Sequence, residues 1–250
     1  MTDKIKILYL AANPTDTSHV RVAAEARELT ARIRQSLNRD AFEIVHFFAV
    51  RPQDLLRGLQ EVEPHILHFS GHGTFDKEIV LEADDGTSQP IAPQVLTDLV
   101  EQFKTNLKLA VMSSCFGRRQ AKALNRVLDF TIGMEKPISD TAAVNFSANF
   151  YQVLAGGGSL KQAFEGARLA TIMQGRPAFG KSDLLVRSGA NADEPFIHLL
   201  PSLAAEITEQ PTNGKPADAT INQTVTGGSK VGQVGVYGAQ SKTTNKVSFS

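Results

Sequence analysis

The chain contains one cysteine, Cys115, among its 250 residues. A single thiol excludes a disulfide within the chain, and it excludes a zinc site that needs several thiolates from one chain. No metal or other cofactor is expected. The thiol is therefore either a small buried hydrophobic side chain or a reactive nucleophile, and the residues around it bear on the choice.

Net charge and long apolar runs are also missing. Lysine and arginine together number 26, as do aspartate and glutamate, so the formal net charge is zero. Proteins that mainly hold nucleic acid usually present a basic face, so that class is not expected, although a local basic patch stays open. No apolar run approaches the roughly 18 residues of a membrane span. Residues 1–4 lead into a strand pattern without signal-peptide features, which predicts a cytoplasmic location.

Strand and helix patterns alternate along the first 200 residues. Predicted strands cover residues 5–10, 42–48, 66–72, 78–82, 107–115, 130–134 and 195–199, and predicted helices cover residues 20–37, 53–62, 93–103, 140–154 and 159–173. Charged positions of the first helix are assigned to its solvent face, namely Glu25, Arg27, Glu28 and Arg32. Alternating strands and helices imply right-handed crossovers, so the pattern predicts an α/β fold with a mostly parallel sheet. Pro195 confines the last predicted strand to a sheet edge or a strand start.

Two polar motifs follow predicted strands of this sheet. Residues 70–73 read Ser-Gly-His-Gly, and residues 113–117 read Ser-Ser-Cys-Phe-Gly. The carboxyl ends of strands in an open α/β sheet line one crevice, so the two motifs are expected to meet. His72 is a candidate base for the Cys115 thiol, and the backbone N–H of Gly73 is a candidate oxyanion donor. Each motif alone also fits a plain structural role, a turn or a buried thiol.

The same motifs resemble the histidine and cysteine blocks of the CHAT family, which are caspase-like cysteine peptidases of the clan that includes caspases and separase. Further resemblance lies in residues 7–14, in residues 132–140 and in the helical end. The resemblance implies a caspase-like three-layer α/β domain over residues 1–202. It also implies a dyad of His72 and Cys115.

Two further residues are candidates for the substrate pocket. Asp140 matches a recurrent acid of the family, although capping of the helix that begins there explains it at least as well. Arg118 follows the cysteine together with Arg119. The two arginines are expected to lower the pKa of the thiol, to contact an acidic substrate or simply to face solvent, and these alternatives stay open.

The composition changes near the C-terminal end, where charged and large apolar residues become scarce. Residues 203–219 are interpreted as a linker and residues 220–250 as a flexible, disordered tail. Within it, residues 221–240 alternate valine with polar residues and resemble bacterial amyloid signalling motifs, with Gln233–Gly235 similar to the core of RHIM-type motifs. Such a segment pairs with copies of itself in cross-β stacks. A plain flexible tail is the alternative.

The leading hypothesis is an inducible cysteine endopeptidase that acts on a protein substrate in bacterial signalling or immunity, with cell death as one outcome. Residues 221–240 would cluster the catalytic domains by self-assembly with a signalling partner that carries a matching motif. A second hypothesis is a non-catalytic caspase-like scaffold. A third is a flavodoxin-like protein that binds phosphate with the loop of residues 13–18.

Overall fold

Two β-sheets and six α-helices form the described part of the chain, which comprises residues 4–74, 76, 78–115, 117–134, 139–175 and 182–199 of a computed structural model. The strands are β1 Ile5–Ala11, β2 Phe42–Phe48, β3 Ile66–Ser70, β4 His72–Gly73, β5 Ile79–Glu82, β6 Ser88–Ile91, β7 Leu109–Ser113, β8 Phe130–Met134 and β9 Ser182–Val186. The helices are α1 Val22–Arg34, α2 Pro52–Val62, α3 Pro93–Glu101, α4 Gly117–Leu124, α5 Asp140–Ala155 and α6 Leu160–Met173.

The large sheet has six strands in the order β2-β1-β3-β7-β8-β9. All neighbouring strands run parallel except β9, which pairs antiparallel with β8. The predicted α/β class with a mostly parallel central sheet is therefore confirmed. The chain moves from β1 to β2 on one side and to β3 on the other, so the carboxyl ends of β1 and β3 flank a topological switch point.

Helices cover both faces of the large sheet. Ile7 and Tyr9 of β1 pack with α1, α5 and α6, whereas Leu8 and Leu10 of the same strand pack with α2, α3 and α4. A strand that is buried on both faces needs a continuous apolar run rather than an alternating pattern, which is how β1 reads. The predicted three-layer arrangement is thus confirmed.

The third strand is shorter than predicted, because it ends at Ser70 and not at His72. Gly71 turns the chain out of the large sheet, and a Cβ at this position would lie 2.7 Å from the carbonyl oxygen of Ala12. His72 and Gly73 then form β4, which pairs antiparallel with β5 in a separate three-stranded sheet. The predicted fourth long strand likewise ends at Ser113, two residues before Cys115.

The prediction of an edge strand at residues 195–199 is wrong. Residues Phe196–Leu199 form a 3₁₀ turn, and β9 is the strand that pairs with β8. Phe196 and Ile197 are both buried against the helices of one face. A strand at the sheet edge would point two consecutive side chains to opposite sides, whereas a tight turn buries both.

The start of α5 also differs from the prediction. Ser139 is the N-cap, with its Oγ accepting a hydrogen bond from the backbone N–H of Ala142 at 3.4 Å, and Asp140 is the first helical residue. The carboxylate of Asp140 is therefore available for another contact. Residues 200–250, with the predicted linker and tail, lie outside the described residues. Among the described residues, no helix combines the length and apolar character that crossing a bilayer requires.

Candidate active site

A cavity of about 210 Å³ opens where β1, β3 and β7 end. Its wall is built from the β1–α1 loop, the first turns of α1 and α5, and the residues that follow β3 and β7. His72, Cys115 and Asp140 all line it. The structure thus brings together three of the residues that the sequence singled out, at the edge of the sheet where the strand-end rule places a ligand.

The ring of His72 is oriented by the backbone. Its Nε2 lies 2.7 Å from the carbonyl oxygen of Ser18 in the β1–α1 loop. A carbonyl oxygen accepts only, so Nε2 carries the hydrogen and donates it. In the neutral ring Nδ1 then keeps its lone pair, which is the state in which an imidazole accepts a proton.

Cys115 occupies the turn between β7 and α4 and is half-buried. Gly73 lies directly against this turn, with its Cα close to the Cys115 carbonyl. The strand that carries His72 therefore packs on the backbone of the cysteine. Both candidate residues are consequently held on short segments with tight backbone contacts rather than on open loops.

The two candidate pocket residues have different surroundings. Asp140 is partly buried on the cavity wall, and its Oδ2 accepts a hydrogen bond from the backbone N–H of Arg21 at 3.2 Å. Arg118 does not line the cavity. It forms an ion pair with Asp183 of β9, and the two side chains are about one third exposed, at 34% and 31%. This pair joins α4 to the edge strand.

A buried carboxylate under the cavity was missed by the sequence analysis. Glu25 of α1 is only 2% exposed, so its assignment to the solvent face is wrong. It also lines the cavity floor. A signal for its burial exists in the sequence, because Glu25, Leu29 and Ile33 are spaced four residues apart and share one helix face.

Polar groups surround the Glu25 carboxylate. It accepts hydrogen bonds from the hydroxyls of Ser70 at 2.5 Å, Ser113 at 3.0 Å and Ser147, and His68 Nε2 lies 3.3 Å away. Burial alone would raise the pKa of this carboxyl, but His68 and the serine hydroxyls outweigh burial, so the pKa lies below its usual value. Glu25 is therefore a buried anion at neutral pH.

Two tyrosines complete the polar cluster. The hydroxyl of Tyr151 lies 3.0 Å from His68 Nδ1, and Tyr9 stacks on the His68 ring and donates to the carbonyl of Val22 at 2.8 Å. Burial, with the charge of Glu25, raises the pKa of both tyrosines, so both stay neutral. The cluster thus holds one negative charge among neutral hydroxyls and His68.

The loop proposed for phosphate binding in the flavodoxin-like hypothesis is occupied by internal contacts. The hydroxyls of Thr15 and Thr17 donate to the carbonyls of Gly86 and Pro14. Asp16 in the same loop accepts a hydrogen bond from Ser88 and adds a negative charge. A phosphate site needs free hydrogen-bond donors and a positive potential, so these contacts and the charge of Asp16 disfavour the flavodoxin-like hypothesis.

Comparison with known families gives a match over most of the chain. A family model described as CHAT domain matches residues 4–213. That span contains every described residue and both motifs that line the cavity.

The individual proteins that match the chain have low sequence identity to it. A probable protease of Gillisia limnaea is 27% identical over 153 residues, which is 60% of this chain and 27% of that protein. A Roc-COR-CHAT protease of Runella zeae is 27% identical over 154 residues, which is 60% of this chain and 16% of that protein. The chain therefore spans about a quarter or less of the length of these relatives. Among solved structures, a secreted C11 cysteine protease of Bacteroides thetaiotaomicron, in complex with an irreversible peptide inhibitor, is similar with a TM-score of 0.48 and 10% identity, over 66% of this chain and 58% of that one.

Proposed function

Because the chain belongs to the CHAT domain family, we propose that it is a cysteine endopeptidase with Cys115 as nucleophile and His72 as general base. The observation that carries the proposal is the shared cavity, in which His72 is held by the Ser18 carbonyl beside the turn of Cys115. The protease names of the relatives agree with it.

The mechanism follows from the orientation of His72. Nδ1 takes the proton of the Cys115 thiol, and the thiolate attacks the carbonyl carbon of a peptide bond. The Gly73 N–H is the proposed donor to the oxyanion that forms. The imidazolium, stabilised by the Ser18 carbonyl at Nε2, then protonates the leaving amine. Water, deprotonated by His72, attacks the thioester and releases the second product, which restores the thiol.

The cavity wall suggests which substrate side chain is preferred. Asp140 presents a partly buried carboxylate there. Among the described residues that line the cavity, Arg21 is the only lysine or arginine, and its backbone N–H is the group that contacts Asp140. We therefore assign to Asp140 the binding of a lysine or arginine side chain beside the cleaved bond, since opposite charges attract more strongly when partly desolvated.

The proposed setting is an inducible effector in bacterial signalling or immunity. Its support is the sequence of residues 221–240, where valine alternates with glycine and polar residues and Lys230 is the one charged side chain. Cross-β pairing of this segment with a matching partner would raise the local concentration of catalytic domains. Proteolysis would then follow recruitment, with limited cleavage of a protein substrate as the output.

A thiol-directed probe separates the endopeptidase from a non-catalytic scaffold. The probe is a short lysine-containing peptide with a thiol-reactive electrophile at its C-terminal end, added to the full chain at neutral pH. We expect labelling of wild type, none of Cys115→Ala, and a loss of about a hundredfold in rate for His72→Ala. His198→Ala is the matched control, because His198 is exposed on a turn that does not line the cavity. Equal labelling rates of wild type and His72→Ala would favour the scaffold.

A further inference from the structure

We propose that Glu25 is a positioning residue that fixes the separation of the base and the nucleophile by joining the ends of β3 and β7. The inference rests on the proposed function of His72 and Cys115. It concerns a buried acid to which the proposed mechanism assigns no step and whose hydrogen bonds come from the hydroxyls of Ser70, Ser113 and Ser147.

The Glu25 carboxylate contacts the ends of β3 and β7 symmetrically. Ser70 and Ser113 are the last residues of β3 and β7, and they are register partners across the two strands. Each lies two residues before a candidate catalytic residue. One carboxylate receives both hydroxyls, Ser70 at Oε2 and Ser113 at Oε1. Glu25 therefore spans the gap between the two strands next to the dyad.

This bridge lies at the point where the pairing of β3 with β7 ends. The register of β3 and β7 ends with the Ser70–Ser113 pair, followed by one backbone hydrogen bond from Gly71 N–H to the Ser113 carbonyl at 3.3 Å. Beyond this hydrogen bond, the segment after β3 enters the small sheet and the segment after β7 turns towards α4. The side-chain bridge therefore lies where sheet pairing no longer fixes the distance between these two segments.

Further contacts hold the Glu25 carboxylate in place. Ser147 of α5 donates to it from a second helix, and His68 lies against it with Tyr151 behind. Charge-assisted hydrogen bonds are short and strong, and a low-dielectric interior strengthens them further. A carboxylate that accepts hydrogen bonds from three hydroxyls, with the His68 ring beside it, keeps a fixed position and so positions the two serines.

A purely structural role is the competing explanation, and kinetic readouts separate the two. Proton transfer from thiol to imidazole needs hydrogen-bond distance, and a misplacement of about 1 Å costs on the order of a hundredfold in rate. A packing role predicts lower stability with an unchanged reaction. A positioning role predicts a lower rate at the thiol, with little change in substrate binding.

The experiment compares full-length variants by the rate of Cys115 alkylation with iodoacetamide from pH 5 to 9. This probe needs no peptide substrate, so it does not depend on finding one. The bridge is cut in two ways, by Glu25→Gln, which keeps the side-chain volume, and by Ser70→Ala with Ser113→Ala, which keeps the charge. Thr171→Val is the control, because Thr171 is a fully buried hydroxyl on α6 that donates only to its own helix.

We expect both bridge variants to lower the neutral-pH alkylation rate by about tenfold or more, towards the rate of His72→Ala. Combining Glu25→Gln with the two serine changes should add little, because they remove the same link. Once a cleaved peptide is in hand, kcat should fall with KM within about twofold. Thr171→Val should lower the melting temperature and leave the alkylation profile unchanged.

The outcomes that overturn each idea differ. If His72→Ala changes the alkylation profile and both bridge variants keep the wild-type profile while losing stability, Glu25 is a structural residue only. If His72→Ala itself matches wild type, the proposed dyad is wrong, and a positioning role for Glu25 falls with it. A fall in rate for Glu25→Gln without one for the serine pair would assign the effect to charge instead of position.

Discussion

Gly73 packs against Cys115 so closely that a Cβ at position 73 would lie 2.2 Å from the cysteine's carbonyl oxygen. Contacts of that length do not occur between a methyl carbon and a backbone oxygen. The obstacle is backbone rather than the end of a flexible side chain, so either β4 or the turn after β7 must move. Such a shift changes the distance between His72 and Cys115.

Gly73→Ala should therefore lower kcat/KM for peptide cleavage by about a hundredfold or more. Gly166→Ala is the control, since the nearest atom to a Cβ there, a methyl of Val153, is 3.8 Å away. Gly166 lies inside α6, where alanine stabilises a helix by roughly 0.5–1 kcal/mol. Peptide kinetics and thermal unfolding of both variants test this. Wild-type cleavage by Gly73→Ala would show that the contact is not needed.

Cys115→Ala and His72→Ala should each reduce cleavage to background, and the double variant should be no worse than either alone. The two residues act as one unit, so their effects on kcat do not add. Both proteins should keep the wild-type circular dichroism spectrum. EDTA should leave wild-type activity unchanged, because no step of the mechanism uses a metal. Cleavage by purified Cys115→Ala at the wild-type rate would refute the nucleophile.

Asp140→Asn should reduce kcat/KM for peptides with lysine or arginine before the cleaved bond by about 10- to 100-fold. Hydrogen bonds to charged groups contribute roughly 1.5–3 kcal/mol, and 1.4 kcal/mol corresponds to a factor of ten. Peptides with a neutral residue there should change much less. Asp193→Asn is the control, because Asp193 pairs with Lys161 on the surface. A library profile with no basic preference in wild type contradicts the assignment.

The stability of wild type relative to Glu25→Gln should depend on pH in the acid range only. The pKa of Glu25 is lower in the folded chain than its usual value of 4.5. Its ionised form therefore stabilises the fold at pH above that value, and this contribution is lost as the pH falls through the folded pKa. Denaturant titrations between pH 2.5 and 7 should show a constant difference above about pH 5 and a shrinking one below it. A difference that grows on acidification would mean that folding favours the protonated acid.

A peptide of residues 221–240 should form fibrils with cross-β spacings of about 4.7 and 10 Å in fibre diffraction. Aspartate at Val234 and Val236 should prevent this, because like charges would repeat at every stacked strand. In the full chain these changes should abolish clustering and leave alkylation of Cys115 unchanged. Ala217→Asp in the proposed linker is the control. A peptide that stays monomeric at high concentration with preformed seeds excludes the amyloid motif.

Most of the large sheet was predictable because its strands are apolar runs bounded by turn residues. The edge strand β9 was not predictable in this way. Phe196–Leu199 is apolar enough to look like a strand, whereas β9 begins with Ser182 and Asp183 and carries a weaker pattern. Short apolar segments do not distinguish a strand from a buried turn, and only packing against the helices decides between them.

The placement of His72 and Cys115 around one cavity followed from the rule that strand ends line one crevice, which needs no side-chain detail. Glu25 was misplaced because charged residues are seldom fully buried, and its partners come from three other elements. The ion pair of Arg118 could not be predicted for a related reason. Its partner Asp183 is distant in sequence, so no local pattern reveals the pair.

The turn at Gly71 leads His72 into the small sheet, whereas Cys115 lies in the turn that follows β7 of the large sheet. The separation of the proposed base and nucleophile therefore depends on the relative position of the two sheets. The small sheet is tied to the loops after β1 and β2, through Asn13 N–H to the Glu82 carboxylate and Glu82 N–H to the Val50 carbonyl. A displacement of the β5–β6 hairpin would therefore move His72 relative to the Cys115 turn, although the hairpin does not line the cavity.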